Sequence, residues 1–242
     1  MRNDWRSNRD QDLMGDDDPG AAARDAEATL ARLPLMAFDI TAAGRQWKIE
    51  AVRDQDALIA AADGLAAFPY GLMIWESSIA LADALLTAGD LAGRRVLELG
   101  AGAGIAGLAA RHLGALVVQT DHAAEALALC RRNARRNGVD GIECRLGDWT
   151  QWQDAAHYDL ILGADILYDS EAHAPVRDVL GRNLAAGGTA LLTDPCRGPT
   201  SGFVAALENE GWAVARRLVR VAALNPIAGR ELIDVAVLLI RR

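Results

Sequence analysis

Residues 96–104 read Val-Leu-Glu-Leu-Gly-Ala-Gly-Ala-Gly, an apolar run that ends in three glycines at alternate positions. This pattern predicts a buried strand, a tight turn and a helix that begins directly after the turn. Glycine has no Cβ, so a backbone rich in it can approach a ligand closely while the helix start aims unpaired amides at that ligand. We therefore expect Gly100, Ala101, Gly102 and Gly104 to bind a nucleotide-like cofactor.

The glycine loop fits more than one class of cofactor, because a dinucleotide fingerprint can also be laid on Gly102, Gly104 and Gly107. A structural turn without a ligand is the remaining alternative. Asp121 ends the next predicted strand about 20 residues beyond the loop, where a carboxylate can accept hydrogen bonds from ribose hydroxyls. The alternative role for Asp121 is to cap the helix that follows.

Two side chains after the third predicted strand are suited to an adenine ring. Asp148 can accept a hydrogen bond from the adenine amino group, and Trp149 can pack on the face of the ring. The alternative interpretation is a surface aspartate beside a core tryptophan.

The composition sets limits on the class of protein. With 242 residues, 51% of them hydrophobic, the chain can bury one substantial core. The net charge of −8 disfavours nucleic acid as a partner, since phosphate contacts need clustered basic residues. The spacing of Cys130, Cys144 and Cys196 indicates neither a disulfide framework nor a metal site. No apolar run is long enough for a membrane helix and the charged start is no signal peptide, so we expect a soluble, cytoplasmic protein whose oligomeric state is open.

The chain divides into three parts by composition. Residues 1–33 are polar and acidic, and we expect a flexible tail with at most a short helix near 26–33 and no contribution to the core. Residues 34–66 predict a β-hairpin with a glycine turn at 42–44, followed by a short helix. Residues 67–242 are expected to form the catalytic domain.

From residue 95 onward, strand and helix patterns alternate. This rhythm predicts an α/β fold with a doubly wound, Rossmann-like sheet that is mostly parallel, with an antiparallel last strand, and with the hairpin as an appendage. The carboxyl ends of the parallel strands then meet at one rim, where such sheets bind ligands. Seven strands are predicted, at 96–99, 116–120, 142–146, 158–164, 189–193, 212–221 and 231–240.

Glu98 stands two residues before Gly100, and Glu-x-Gly-x-Gly-x-Gly at a strand end resembles motif I of the class I S-adenosylmethionine (AdoMet) methyltransferases. The resemblance implies AdoMet as the cofactor, and it implies that Glu98 helps to hold the methionine amine of AdoMet.

The fourth predicted strand runs into Asp165-Ile-Leu-Tyr168, a D-x-x-Y motif. Together with Trp75 ahead of the first helix of the domain, it resembles the seven-β-strand protein lysine methyltransferases. Methyltransferases of DNA adenine or glutamine amines carry a D/N-P-P-Y/F tetrapeptide here, which this chain lacks, and we interpret Cys196 as structural. The chain departs from the family where Glu76 and Ser77 follow the tryptophan in place of the usual proline.

The resemblance assigns roles to residues at matching positions. It implies that Asp165 and Tyr168 face the acceptor amine. The implied contacts with AdoMet are Trp75, Gly100, Ala101, Gly102, Asp121, Trp149 and Ala164.

The implied reaction moves a methyl group to a neutral nitrogen, whereas a lysine side chain with a pKa of about 10.4 is protonated at neutral pH. Asp165 can orient the amine or take up its proton, and Tyr168 can hydrogen-bond the amine or present its ring to the cation. The expected function is an AdoMet-dependent N-methyltransferase that acts on lysine of a protein. A small-molecule N- or O-methyltransferase and a non-catalytic AdoMet-binding module are the alternatives.

Overall fold

A computed structural model describes residues 19–61, 70–196, 198–227 and 230–242. The helices are α1 (Pro19–Leu30), α2 (Gln55–Ala61), α3 (Glu76–Ala84), α4 (Ile105–His112), α5 (Ala124–Arg136), α6 (His173–Asn183) and α7 (Thr200–Asn209). The strands are β1 (Leu35–Ala42), β2 (Arg45–Val52), β3 (Arg95–Leu99), β4 (Leu116–Asp121), β5 (Ile142–Leu146), β6 (Tyr158–Ala164), β7 (Leu184–Asp194), β8 (Ala213–Ile227) and β9 (Arg230–Arg241). Within these ranges, no helix is long and apolar enough to cross a membrane.

Seven strands form one sheet in the order β5-β4-β3-β6-β7-β9-β8. The first five in this order are parallel to their neighbours, whereas β9 runs antiparallel to both β7 and β8. The chain leaves β3 toward β4 and β5 and then returns to place β6 on the other side of β3. That reversal opens a crevice at the carboxyl end of β3, where doubly wound sheets bind ligands. The predicted fold and strand count are confirmed.

The hairpin of β1 and β2 is a separate sheet, as predicted. Its two-residue turn is Ala43-Gly44, and both residues have positive φ (51° and 71°), which is the backbone of a type I′ turn. Trp47 is buried beneath the turn, and its indole N–H donates to the Ala42 carbonyl at 2.9 Å. The hairpin rests on α5 through Asn133, whose side chain accepts from the Glu50 N–H at 2.8 Å.

The segment preceding the hairpin differs from the predicted flexible tail. Residues 19–30 form α1, which packs on α5 with Ala26 and Leu30 buried. Glu27 of α1 accepts a hydrogen bond from the Arg132 guanidinium of α5 at 2.9 Å. These two buried apolar residues suffice here because they meet a face of α5, and composition alone does not reveal that face. Residues 1–18 and 62–69, with the predicted boundary at 66, lie outside the described residues.

Leu30→Ala tests whether α1 belongs to the core. The leucine side chain is 1% exposed, so truncation should lower the free energy of unfolding by about 2–5 kcal/mol. Urea denaturation measures this change, with Ala28→Ser at an exposed position of the same helix as the control. An unchanged free energy of unfolding for Leu30→Ala would mean that α1 contributes nothing to stability.

Candidate active site

The glycine loop after β3 is held in a left-handed backbone conformation at alternate residues. Gly100, Gly102 and Gly104 have φ of 61°, 54° and 84°, and Gly104 is the N-cap of α4. A Cβ on Gly102 would also lie 3.1 Å from the carbonyl oxygen of Gly71. The loop therefore packs directly against the 3₁₀ turn formed by Tyr70–Leu72. A side chain at position 102 would separate these two walls.

Glu98 lies behind this loop instead of lining a cavity. Its side chain is 2% exposed, and Oε2 accepts from the Gly107 N–H at 3.0 Å and from the Gln119 side-chain amide at 2.7 Å. Burial raises the pKa of Glu98 to about 7 despite both hydrogen bonds. A Cβ on Gly107 would stand 2.5 Å from Oε2. Gly107 is thus explained by packing against Glu98, and the structure gives no direct contact between Glu98 and the cavity.

Gly104 lies on the same inner side of the loop. A Cβ there would be 3.0 Å from the Cys130 sulfur, and the Gly104 carbonyl accepts from the Gln119 amide at 3.0 Å. The Cys130 thiol donates to the Gly102 carbonyl at 3.1 Å, and burial holds its pKa well above the usual range. Gly104 and Cys130 therefore support the loop from beneath.

Asp121 connects the end of β4 to the glycine loop. One carboxylate oxygen accepts from the Gly102 N–H at 3.0 Å, and the other accepts from the Ala123 N–H at 3.0 Å, next to the start of α5. The side chain is buried (5% exposed), and burial raises its pKa although both hydrogen bonds oppose the shift. Asp121 therefore bonds the backbone of Ala123, the residue that precedes α5, and it lines the rim cavity, where its binding of ribose stays a prediction.

Asp148 and Trp149, which follow β5, have different surroundings in the structure. Asp148 is exposed and caps the turn Trp149–Gln151, where it accepts from the Thr150 N–H at 2.8 Å and from the Thr150 hydroxyl at 2.7 Å. These bonds lower the pKa of Asp148. The Asp148 side chain does not line the rim cavity, whereas Trp149 does.

The chain turns sharply where β6 ends. Asp165 has a φ of 54°, is 8% exposed, and donates its N–H to the Thr193 carbonyl at 2.7 Å. Left-handed backbone suits aspartate better than most residues. The turn sends Ile166 back into the core, in space that Gly100 and Gly163 leave free, and it leaves Tyr168 49% exposed at the surface.

One cavity of about 310 Å³ brings most of the predicted site together. Glu98, Gly104 and Asp148 are the three predicted residues outside its lining. The predicted residues that line it are Trp75, Gly100, Ala101, Gly102, Asp121, Trp149, Ala164, Asp165 and Tyr168.

Sequence reasoning missed seven further lining residues, which are Tyr70, Gly71, Met73, Ser78, Ala103, His122 and Ile166. Of these, Tyr70 has the clearest structural role, because its ring centroid lies 6.2 Å from that of Tyr168 and 6.4 Å from that of Trp75. The Tyr70 carbonyl also accepts from the Trp75 indole N–H at 3.0 Å. In the sequence, the signal that could have indicated Tyr70 was its position five residues before Trp75 in the same loop. Among the described residues there is no cluster of side chains that could hold a metal ion.

Comparison with known proteins gives a family and several relatives. The profile of a family described as lysine methyltransferase matches residues 52–200. The chain is 35% identical over 133 residues to protein N-lysine methyltransferase METTL21A of Danio rerio. The aligned segment covers 52% of this chain and 60% of that protein. The chain is also 34% identical over 107 residues to histone-arginine methyltransferase METTL23 of Xenopus laevis. That aligned segment covers 41% of this chain and 46% of that protein. The chain thus spans about half to three fifths of the length of these curated relatives.

Solved structures agree with the fold. Magnesium protoporphyrin IX methyltransferase from Synechocystis PCC 6803 aligns with a TM-score of 0.56 at 18% identity, over 69% of this chain and 80% of that chain.

The buried Glu98 carboxyl predicts a pH-dependent stability. Because its pKa rises from 4.5 to about 7 on folding, the folded chain binds more protons than the unfolded chain between these pH values. The free energy of unfolding should therefore fall as the pH rises through this window. Above the window, it should stay low, because the folded chain then buries an ionised carboxylate. The Glu98→Gln variant has no titrating group at this position. Its free energy of unfolding, relative to that of the parent, should therefore increase by up to about 3 kcal/mol between about pH 5 and about pH 8.

Urea denaturation at both pH values measures this difference. Glu143→Gln is the control, because that exposed carboxylate has a pKa lowered by Arg145 and titrates below the window. A difference between Glu98→Gln and the parent that stays constant with pH would show that Glu98 is charged throughout.

Proposed function

Since the matched segment covers more than half of the chain, the chain belongs to the lysine methyltransferase family, and from that premise we propose that it is an AdoMet-dependent methyltransferase acting on a lysine side chain of a protein. The observation that carries the proposal is the common cavity. Asp165 and Tyr168 line the same space as the glycine loop and Asp121. An acceptor held by the first pair is therefore adjacent to a cofactor held by the second.

The residues at the rim fit AdoMet. The Gly102 backbone lines the cavity, the buried Asp121 carboxylate suits the ribose hydroxyls, and the Trp149 ring suits the adenine face. Ala164 and Trp75 line the remaining wall. When bound, AdoMet supplies a methyl group attached to a positively charged sulfur.

Asp165 and Tyr168 act on the acceptor amine. A protonated lysine is not a nucleophile, so the site must orient the amine and release one proton from it. The Asp165 carboxylate attracts the ammonium into the cavity, accepts its hydrogen bond and then takes up one proton, which leaves a neutral amine. Before that step, the Tyr168 ring stabilises the cation on one side. Burial, helped by the nearby Asp169 carboxylate, raises the pKa of Tyr168, so its hydroxyl stays neutral at physiological pH. A site that holds the amine in line with the methyl group provides much of the acceleration of methyl transfer.

Transfer of labelled methyl groups tests the proposal directly. The purified protein is incubated with methyl-labelled AdoMet and a cell lysate, and labelled protein is hydrolysed to amino acids. We expect the label in methylated lysine. Label in methylated arginine would contradict the lysine assignment, and label confined to small molecules would contradict a protein acceptor.

Asp121→Ala should weaken AdoMet binding by about 1–3 kcal/mol, because the ribose hydroxyls lose their acceptor. Asp148→Ala should have a smaller effect, because that carboxylate is bonded to Thr150 outside the cavity. Titration calorimetry with AdoMet measures both variants. Equal losses for the two, or none for Asp121→Ala, would contradict this arrangement of the rim.

Asp165→Asn separates catalysis from cofactor binding. Asparagine adopts the left-handed backbone at this position as readily as aspartate, so the turn should be retained while the charge is lost. We expect AdoMet affinity close to that of the parent and methyl transfer reduced by about 10² to 10⁴.

Tyr168→Phe is the companion variant, because it retains the ring and removes the hydroxyl. A small loss of activity would indicate that the ring is what the acceptor needs, whereas a large loss would indicate the hydroxyl. Full turnover by Asp165→Asn on the protein acceptor would exclude the proposed role of the carboxylate.

A further inference from the structure

The outer edge of β8 is a long edge of the main sheet. β8 is the last strand in the sheet order and pairs with β9 on its inner side, and no strand of the described residues pairs with its outer side. Successive residues of a strand point to opposite faces, so Arg216 and Arg220 lie on one face and Arg217 on the other. The 15 residues of β8 include these three arginines and no acid, in a chain with a net charge of −8.

The charges of these arginines are mostly uncompensated. Within the described part of the chain, no carboxylate forms an ion pair with Arg216 or Arg217, and Arg216 donates only to the Cys196 sulfur at 3.7 Å. Arg220 has its Nε 4.0 Å from Asp234, with both side chains largely exposed, so this pair is weak. The edge therefore carries a local positive potential.

A second cavity, of about 300 Å³, lies at the beginning of the same strand. Leu160, Leu191 and Leu239 contribute an apolar wall, and Arg94, Arg217 and Arg241 contribute charge. Arg94 donates to the Asp159 carbonyl, and Arg241 donates to the Thr189 hydroxyl, so their charges also lack a carboxylate within the described residues. Such a cavity suits a side chain that ends in a carboxylate.

The far end of β8 leads to the active site. β9 pairs with β7 only up to Ala236, opposite Asp194. Residues 219–222 of β8 and 232–235 of β9 therefore continue beyond the rim as a two-stranded arm. The Leu224 N–H donates to Glu76 Oε1 at 2.9 Å, beside the cavity-lining Trp75. Residues 213–224 span roughly 36 Å at the usual strand rise. A chain lying along β8 would thus run from the arginine-lined cavity to the mouth of the active site.

We propose that an acidic, extended segment of the methyl-acceptor protein docks along the outer edge of β8, with acidic side chains at Arg216, Arg217 and Arg220. This inference rests on the proposed function, because it takes the acceptor to be a protein. An open strand edge presents alternating backbone N–H and C=O groups, and an extended polypeptide offers matching acceptors and donors at the same spacing. A phosphate backbone offers acceptors without the alternating amide donors. The edge and the arginines together therefore favour an acidic peptide.

The probe is a rhodamine-labelled 12-residue peptide in which pairs of glutamates alternate with pairs of valines, so that an extended chain presents glutamates on both faces of the sheet. Its binding is followed by fluorescence anisotropy. The parent should bind it with an affinity that falls as salt is raised, because the contacts are exposed charges. The triple variant R216Q/R217Q/R220Q should bind about tenfold more weakly or worse. The control variant R32Q/R53Q/R182Q has the same charge change at exposed sites away from β8 and should bind like the parent.

A second peptide with glutamine in place of glutamate should bind the parent as weakly as the glutamate peptide binds the triple variant. Hydrogen exchange should show protection of β8 amides by the glutamate peptide. Equal binding to the triple and control variants would overturn the inference, as would tighter binding of a single-stranded 12-nucleotide RNA. Self-association of the triple variant with unchanged peptide binding would also overturn it, since the arginines would then only prevent edge pairing.

Methyl labelling of the lysate separates this inference from the proposed function. If the parent labels protein and the triple variant does so several-fold less than the control variant, both stand. If parent and triple variant label protein equally, the docking inference fails and the function stands. If the parent labels no protein, the proposed function fails, and the docked partner is no longer a methyl acceptor.

Discussion

The site depends on one buried carboxylate with two backbone partners. Asp121 ends β4 and accepts hydrogen bonds from the glycine loop at Gly102 and from Ala123 before α5. A carboxylate buried to this degree is costly unless its acceptors are satisfied, so the two bonds fix the positions of both backbone segments. Gly102 then meets Gly71 at close range. In this way a single side chain fixes the positions of three of the segments that border the cavity.

The sheet and most of the rim could be predicted from the sequence. Apolar strands and helices alternate regularly, and in a parallel sheet their carboxyl ends must meet, which places Asp121, Trp149 and Asp165 at one edge. The hairpin followed from its glycine turn. For helix α1, the sequence predicted at most a short helix near 26–33 in a flexible tail. The packing of α1 was not predicted, because its apolar residues Ala26 and Leu30 find their partner on α5.

Spacing along the chain does not give the side of a loop on which a residue lies. Glu98 and Gly104 belong to the same short motif as Gly102, yet they face Gln119 and the core instead of the cavity. Asp148 similarly satisfies its own turn through Thr150. Glu98 and Gly104 show that the motif combines two tasks: some of its residues contact the cavity, and the others support the loop that does so.

The hairpin is joined to that loop by a single side chain, which has a consequence for cooperativity. Asn133 is fully buried; its amide donates to the Ala103 carbonyl of the glycine loop at 2.9 Å and to the Glu50 carbonyl at 3.1 Å, and its oxygen accepts from the Glu50 N–H. Neither segment can open without leaving polar groups of the other unsatisfied in the interior. The hairpin and the glycine loop therefore constitute one unit of local unfolding. Any ligand that stabilises the glycine loop also slows the opening of the hairpin, which the ligand never touches.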